Sequence, residues 1–214
     1  MVARTLVAVK EDYISSMGED LGRHFFELHR KLGELHIVWQ QYRQLFGEGD
    51  EIIRLLNRTA GLFFKIVQDE LWDSVLMGIA RMTDASEMRS NKNLTIFSLS
   101  PLIMDESLKA QVEELCGTAL KAAAVAREHR NKRVAHQDYE HVINQLSNPL
   151  SGVSRAYIED VLSSLRSVLN RIELHFRESE VLYQNFIDEN GARVLVAKLR
   201  RMDSEDYLPK PSGG

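Results

Sequence analysis

The sequence predicts an all-α protein, a four-helix bundle with additional short helices. Three observations carry that expectation. Apolar residues recur at spacings of three and four along most of the 214-residue chain. No stretch alternates apolar and polar residues as a half-buried strand would. With 12 Gly and only 4 Pro, the chain lacks the turn residues of a β-sandwich. Hydrophobic residues at 44% and charged residues at 27% are ordinary globular proportions, enough for one sizeable core.

Met1 to Ala8 carry little pattern and are free to fray. A first helix is expected from about Lys10 to Phe46, with Ile14, Met17, Leu21, Phe25, Leu28, Leu32, Leu35 and Trp39 on one stripe. Gly47-Glu48-Gly49-Asp50 reads as a turn, with Asp50 as N-cap of a second helix from about Glu51 to Thr83. Its apolar members are Ile52, Leu55, Leu62, Ile66, Val67, Leu71, Val75 and Ile79, and the two helices read as an antiparallel pair. Asp84 to Asn93 is a polar loop, and Leu94 to Ile103, with Pro101 inside it, is an irregular segment packed on the bundle. A third helix spans about Asp105 to Arg130, with Leu108, Val112, Leu115, Ala119, Ala122 and Ala126 on its stripe. The alanines allow a close helix approach.

Tyr139 to Leu146 reads as a short helical or irregular piece, and Ser147 to Ser154 as a loop. Ser154 caps a fourth helix expected from about Arg155 to Asn190, and Ala192 to Met202 forms a short basic helix. Leu208 to Gly214 has no reason to order. The resulting division is a lead over 1–9, a bundle over 10–190 and a short helix with tail over 191–214.

Composition excludes several chemistries. The single cysteine, Cys116, rules out an internal disulfide and a Cys-rich metal cluster. No basic leader precedes a long apolar run, so a soluble, cytoplasmic protein without membrane association is expected. A net charge of −4 disfavours indiscriminate coating of nucleic acid. Gly47-Glu48-Gly49 lacks the third glycine and Lys-Ser/Thr of a phosphate loop. No Glu stands three residues before a His, so the di-metal bundle pattern is missing, and neither metal nor other cofactor is expected. His29 and His36 share a helical face but lie about 10 Å apart along it, too far to ligate one ion, and read as polar positions flanking the core. Cys116 reads as a buried structural thiol, and Arg81 with Asp84 as a local pair or cap at a helix end.

One segment departs from this pattern. Lys121 to Gln137 holds five Lys or Arg residues and one acidic residue, on a chain that is negative overall. Read plainly, these are solvated cations complementing a helix C-terminus. Read chemically, they supply what RNA cleavage without a metal needs. Histidine moves protons near neutrality, to take the 2′-hydroxyl proton or protonate the leaving 5′-oxygen. Arginine's planar fork stabilises the charged phosphorane, and an amide such as Asn131 orients the imidazole or contacts the phosphate. On an unbroken helix Arg130 and His136 lie about 120° apart around the axis and about 9 Å apart along it. Either the helix breaks within the segment, or two copies face one another across a twofold axis.

Arg130-Asn131-Lys132-Arg133-Val134-Ala135-His136 resembles the Arg-x(4–6)-His motif of the HEPN superfamily. Leu71-Trp72-Asp73-Ser74-Val75, Arg81-Met82-Thr83-Asp84 and Arg130 to Asp138 are similar, in that order, to the AbiU-type abortive-infection branch. The resemblance spans roughly Leu55 to Phe186. It implies a helical homodimer with two motifs at its interface, many such proteins being metal-independent ribonucleases of phage defence or toxins. Carried over, Arg130, Asn131 and His136 are the catalytic set; Arg127, Lys132 and Arg133, cations of the same basic segment, are expected to bind RNA. An antitoxin or another defence protein is then a further partner. Toxins of this group silenced by tyrosine adenylylation carry Tyr two residues after the His, and here Asp138 stands there, with Tyr139 one place on. The competing reading is a non-catalytic module that binds RNA, a nucleotide or a protein through 121–137. A third is a bundle whose basic cluster only caps a helix.

Overall fold

The computed structural model describes residues 5–88, 90–130, 153–185 and 189–204. The fold is all-α. Its helices are α1 (Leu6–Met17), α2 (Glu19–Phe46), α3 (Asp50–Thr83), α4 (Glu106–Ala122), α5 (Ala124–His129), α6 (Arg155–Arg177) and α7 (Ala192–Ser204). Two 3-10 turns, Ile96–Ser98 and Ser100–Leu102, precede α4. Within the expected polar loop, Glu87–Met88 and Asn91–Lys92 form a minimal antiparallel ladder, which no alternation announced. The chain forms two compact units, one of residues 1–36 and 75–183, the other of 37–74 and 184–214.

In the first unit α4 lies along α6. Leu108, Val112, Cys116 and Ala119 of α4, and Ile158, Val161, Leu165 and Leu169 of α6, are fully or almost fully buried. Ile96, Leu99 and Ile103 close this core, so the irregular segment packs on the bundle as its apolar content required.

The expected first helix is two helices. The Thr5 hydroxyl accepts from the Ala8 N–H and starts α1 at Leu6, earlier than its weak pattern implied. Gly18, at φ 84°, then ends α1 in a conformation side chains resist. A Cβ on Gly22 would fall 2.6 Å from both Ile14 Cα and the Tyr13 carbonyl, so glycine is required where α2 turns back over α1. The apolar spacing continues through the break and conceals it.

The expected fourth helix stops at Arg177, not near Asn190. Ser154 caps its start by accepting from the Tyr157 N–H, as expected. Glu178, at φ 50°, ends it. The Asn170 side chain then pairs with both backbone groups of Val181, donating to its carbonyl at 3.2 Å and accepting from its N–H at 3.0 Å. The chain is thereby folded back along α6, and Tyr183 is buried.

In the second unit, Trp39 stacks on Tyr42 at 5.3 Å and 8°, and the Trp72 ring packs on both. The opening N–H groups of α7 are taken by glutamines of α2. Ala192 donates to Gln41 Oε1 at 2.7 Å and Arg193 to Gln44 Oε1 at 3.2 Å. Asp50 is the first residue of α3 rather than its cap. The helix is interrupted at Ala60 (φ −159°, ψ 64°), between Gly61 and Thr59, whose hydroxyl donates back to the Leu55 carbonyl. Leu62 and Ile66, expected inside, are exposed beyond that interruption.

Candidate functional site

The segment singled out in the sequence begins where α4 gives way to α5. The third helix breaks at Ala123 (φ −77°, ψ −3°), upstream of the arginines. The new helix needs partners for its first N–H groups. The Tyr157 hydroxyl of α6 supplies one, accepting from the Ala126 N–H at 3.1 Å. Buried Ala123 and Ala126 let α5 sit close to its neighbours.

From α5, Arg127 and Arg130 reach the end of α3. They are three residues apart, so they share one helical face. Thr83 closes α3 with its side chain turned inward, donating to the Ile79 carbonyl at 2.9 Å. Its own carbonyl is one of those a helix end leaves without an intrahelical partner. Arg127 Nη1 donates to it at 2.5 Å and lies 3.0 Å from Asp84 Oδ1. Arg130 Nη2 donates to the same Asp84 oxygen at 2.7 Å. The side chains of Arg130 and Asp84 are 18% and 17% exposed, so the pair is held mostly away from water and only lightly screened. The turn that carries Asp84 is pinned downstream. The Asn93 side chain donates to the Ala85 carbonyl at 3.0 Å, and its N–H to the Ser86 carbonyl at 2.7 Å.

Among the described residues, the two guanidiniums and one carboxylate that meet here carry a net single positive charge. Arg130 Nε is buried and has no hydrogen-bond partner among the described residues. His129, between the two arginines in sequence, is buried. The arrangement is a fixed, part-buried cation suited to a phosphate oxygen. Asn131, Lys132, Arg133 and His136 lie outside the described residues.

Asp84 does not serve as the local partner of Arg81, which is exposed. Its partners come from α5. Arg127, expected at the RNA, is engaged by Thr83 and Asp84. Sequence reasoning missed Asp84, Thr83 and Tyr157 as parts of the site. The Arg81-x-x-Asp84 spacing was visible, yet partners 44 and 46 positions away cannot be read from helical periodicity.

Elsewhere, Cys116 is buried, its thiol 3.5 Å from the Ile96 carbonyl, and burial pushes its pKa up to about 12, as an inert structural thiol requires. His29 and His36 meet on Tyr183. His29 Nδ1 lies 2.8 Å from the tyrosine hydroxyl, and the His36 ring stacks on the tyrosine ring at 5.8 Å. Burial first, and Arg177 second, lower His29 to about 4, while burial and then Arg166 do the same to His36. Both imidazoles are neutral parts of the interior. Among the described residues no group of three or more His, Cys, Asp or Glu could hold a metal ion, and no helix is long and apolar enough to cross a membrane.

A family model described as AbiU2, of the HEPN group, matches residues 18–195. No curated protein and no solved structure matches the chain.

Proposed function

The chain belongs to the AbiU2 family of HEPN proteins, and from that membership we propose that it is a metal-independent endoribonuclease of phage defence or a toxin. The observation that carries the reading is Arg130, a part-buried guanidinium fixed by Asp84, in a sequence that continues Asn131 and, six positions on, His136. The ribose 2′-hydroxyl attacks the adjacent phosphorus as His136 takes its proton. The 5′-oxygen leaves as an imidazolium returns one, and Arg130 stabilises the charge that builds on the phosphorane. Two copies of the motif meeting across a twofold axis in a homodimer supply one histidine as base and a second as acid. Asn131 orients the imidazole, Lys132 and Arg133 hold flanking phosphates, and Arg127 fixes the face from which Arg130 projects. A neutralising protein partner fits a chain with this activity.

The test is cleavage of RNA by the purified protein in EDTA. The expected products carry 2′,3′-cyclic phosphate ends, and a 2′-deoxy substitution at the cut site blocks the reaction. His136→Ala should abolish cleavage while folding and dimerisation persist. Cleavage by that variant at the parental rate removes His136 from the reaction.

A binding-only role draws on the same five cations against one acid from Lys121 to Gln137. It predicts salt-dependent RNA binding without turnover, weakened by substitution of Arg130 or Lys132 and indifferent to His136→Ala.

A further inference from the structure

The carboxylate of Asp84 stands at a costly place. It directly follows the last residue of α3, where the helix already presents the negative end of its dipole. A cation or an amide would suit that position better as a helix terminus. What offsets the cost is Arg127 and Arg130, both brought to the same Asp84 oxygen at 3.0 and 2.7 Å. Arg127 is further secured by the Thr83 carbonyl, so its direction is set by backbone. The Arg130 guanidinium has no such backbone partner among the described residues. Its hold there is Asp84.

The geometry points to Asp84 as a positioning residue for Arg130: it fixes the guanidinium in the orientation in which it receives the RNA phosphate. This rests on the ribonuclease reading and extends it to a residue 46 positions upstream of the motif arginine. A free arginine must surrender considerable side-chain freedom when it grips a phosphate. Clamped by Asp84, Arg130 has surrendered it before RNA arrives, and the cluster keeps a net positive charge with which to attract an anion.

Positioning and mere charge balance differ in sign. Removing a carboxylate beside a polyanion site should strengthen binding by electrostatics alone. If Asp84 positions Arg130, Asp84→Asn should instead impair the site despite the added positive charge. The experiment uses the full chain, a short RNA and its all-2′-deoxy counterpart, which cannot be cut. Asp84→Asn should lower kcat at least 30-fold and change KM less than threefold, with Asp84→Glu recovering part of the loss. Cleavage by Asp84→Asn at or above the wild-type rate overturns the proposal. If Asp84→Asn does not fold, Asp84→Glu decides: it keeps the charge but displaces it by a methylene, and an unchanged kcat counts against positioning.

If the wild type cleaves nothing, the ribonuclease reading fails, and a second measurement judges Asp84 separately. The Arg130 Nε–Hε NMR signal, assigned through Arg130→Lys, is followed as the deoxy-oligonucleotide is added. It should shift in the wild type and lose that response in Asp84→Asn, or in Asp84→Glu where the former is unfolded. An equal shift in wild type and variant, or none in the wild type, overturns the assignment.

Discussion

Asp84 Oδ1 and Arg130 Nη2 meet at 2.7 Å across 46 positions of sequence, joining the end of α3 to the end of α5. Arg127 reaches the same oxygen and the Thr83 carbonyl. Losing Arg127 strands a part-buried carboxylate with one partner fewer and leaves a helix-end carbonyl without its donor. Arg127→Met should therefore cost on the order of 1–3 kcal/mol of stability. Urea unfolding followed by circular dichroism measures it, and a midpoint equal to wild type would mean that the tie carries no load.

Tyr157 is the tertiary cap of α5, through its hydroxyl at 3.1 Å from the Ala126 N–H. Tyr157→Phe keeps the ring and removes the acceptor. The expected cost is about 1 kcal/mol, with faster hydrogen exchange at the Ala126 amide. Unchanged exchange at that amide would show that water replaces the hydroxyl without loss.

Gly22 marks the approach of α2 to α1. A Cβ there meets backbone at 2.6 Å, and backbone cannot swing aside as a side chain can. Gly22→Ala should destabilise by several kcal/mol although alanine is the better helix former. Gly33, where a Cβ meets nothing within 4 Å, should gain up to about 1 kcal/mol on the same substitution. Comparing the two thermal midpoints tests the packing, and equal shifts would refute it.

Half-buried His29 and buried His36 make stability pH-dependent. The unfolded chain takes up protons as pH falls through about 6.5, whereas the folded imidazoles do so only near 4. Between those values the unfolded state holds more protons, so stability falls as pH drops from about 6.5 towards 4. Glu173, its carboxyl raised first by burial, acts with the opposite sign above its ordinary 4.5, since there the folded state keeps a proton the unfolded state has released. Over pH 6.5 to 5, His36→Gln should flatten the slope of unfolding free energy by up to about 1.4 kcal/mol per pH unit. An unaltered slope would mean that His36 titrates alike in both states.

Residue order alone made legible the helical class, the buried stripe of α4, the Ser154 cap and the inert thiol of Cys116. Each follows from spacing or residue type within a few turns, where the i to i+4 geometry of a helix fixes which side chains are neighbours. A local motif also drew attention to Arg130, whose role at RNA is the proposal made above. The rest came from packing between residues far apart in the chain. The breaks at Gly18, Ala60 and Ala123 run under an uninterrupted apolar rhythm, so periodicity passed over them. The exposure of Leu62 and Ile66 depends on what packs beside α3, which their own spacing does not state. The partners of Asp84 were settled in the same way: a carboxylate's choice between Arg81 nearby and Arg127 and Arg130 far along the chain depends on where folding brings the charges, and sequence separation does not measure that distance.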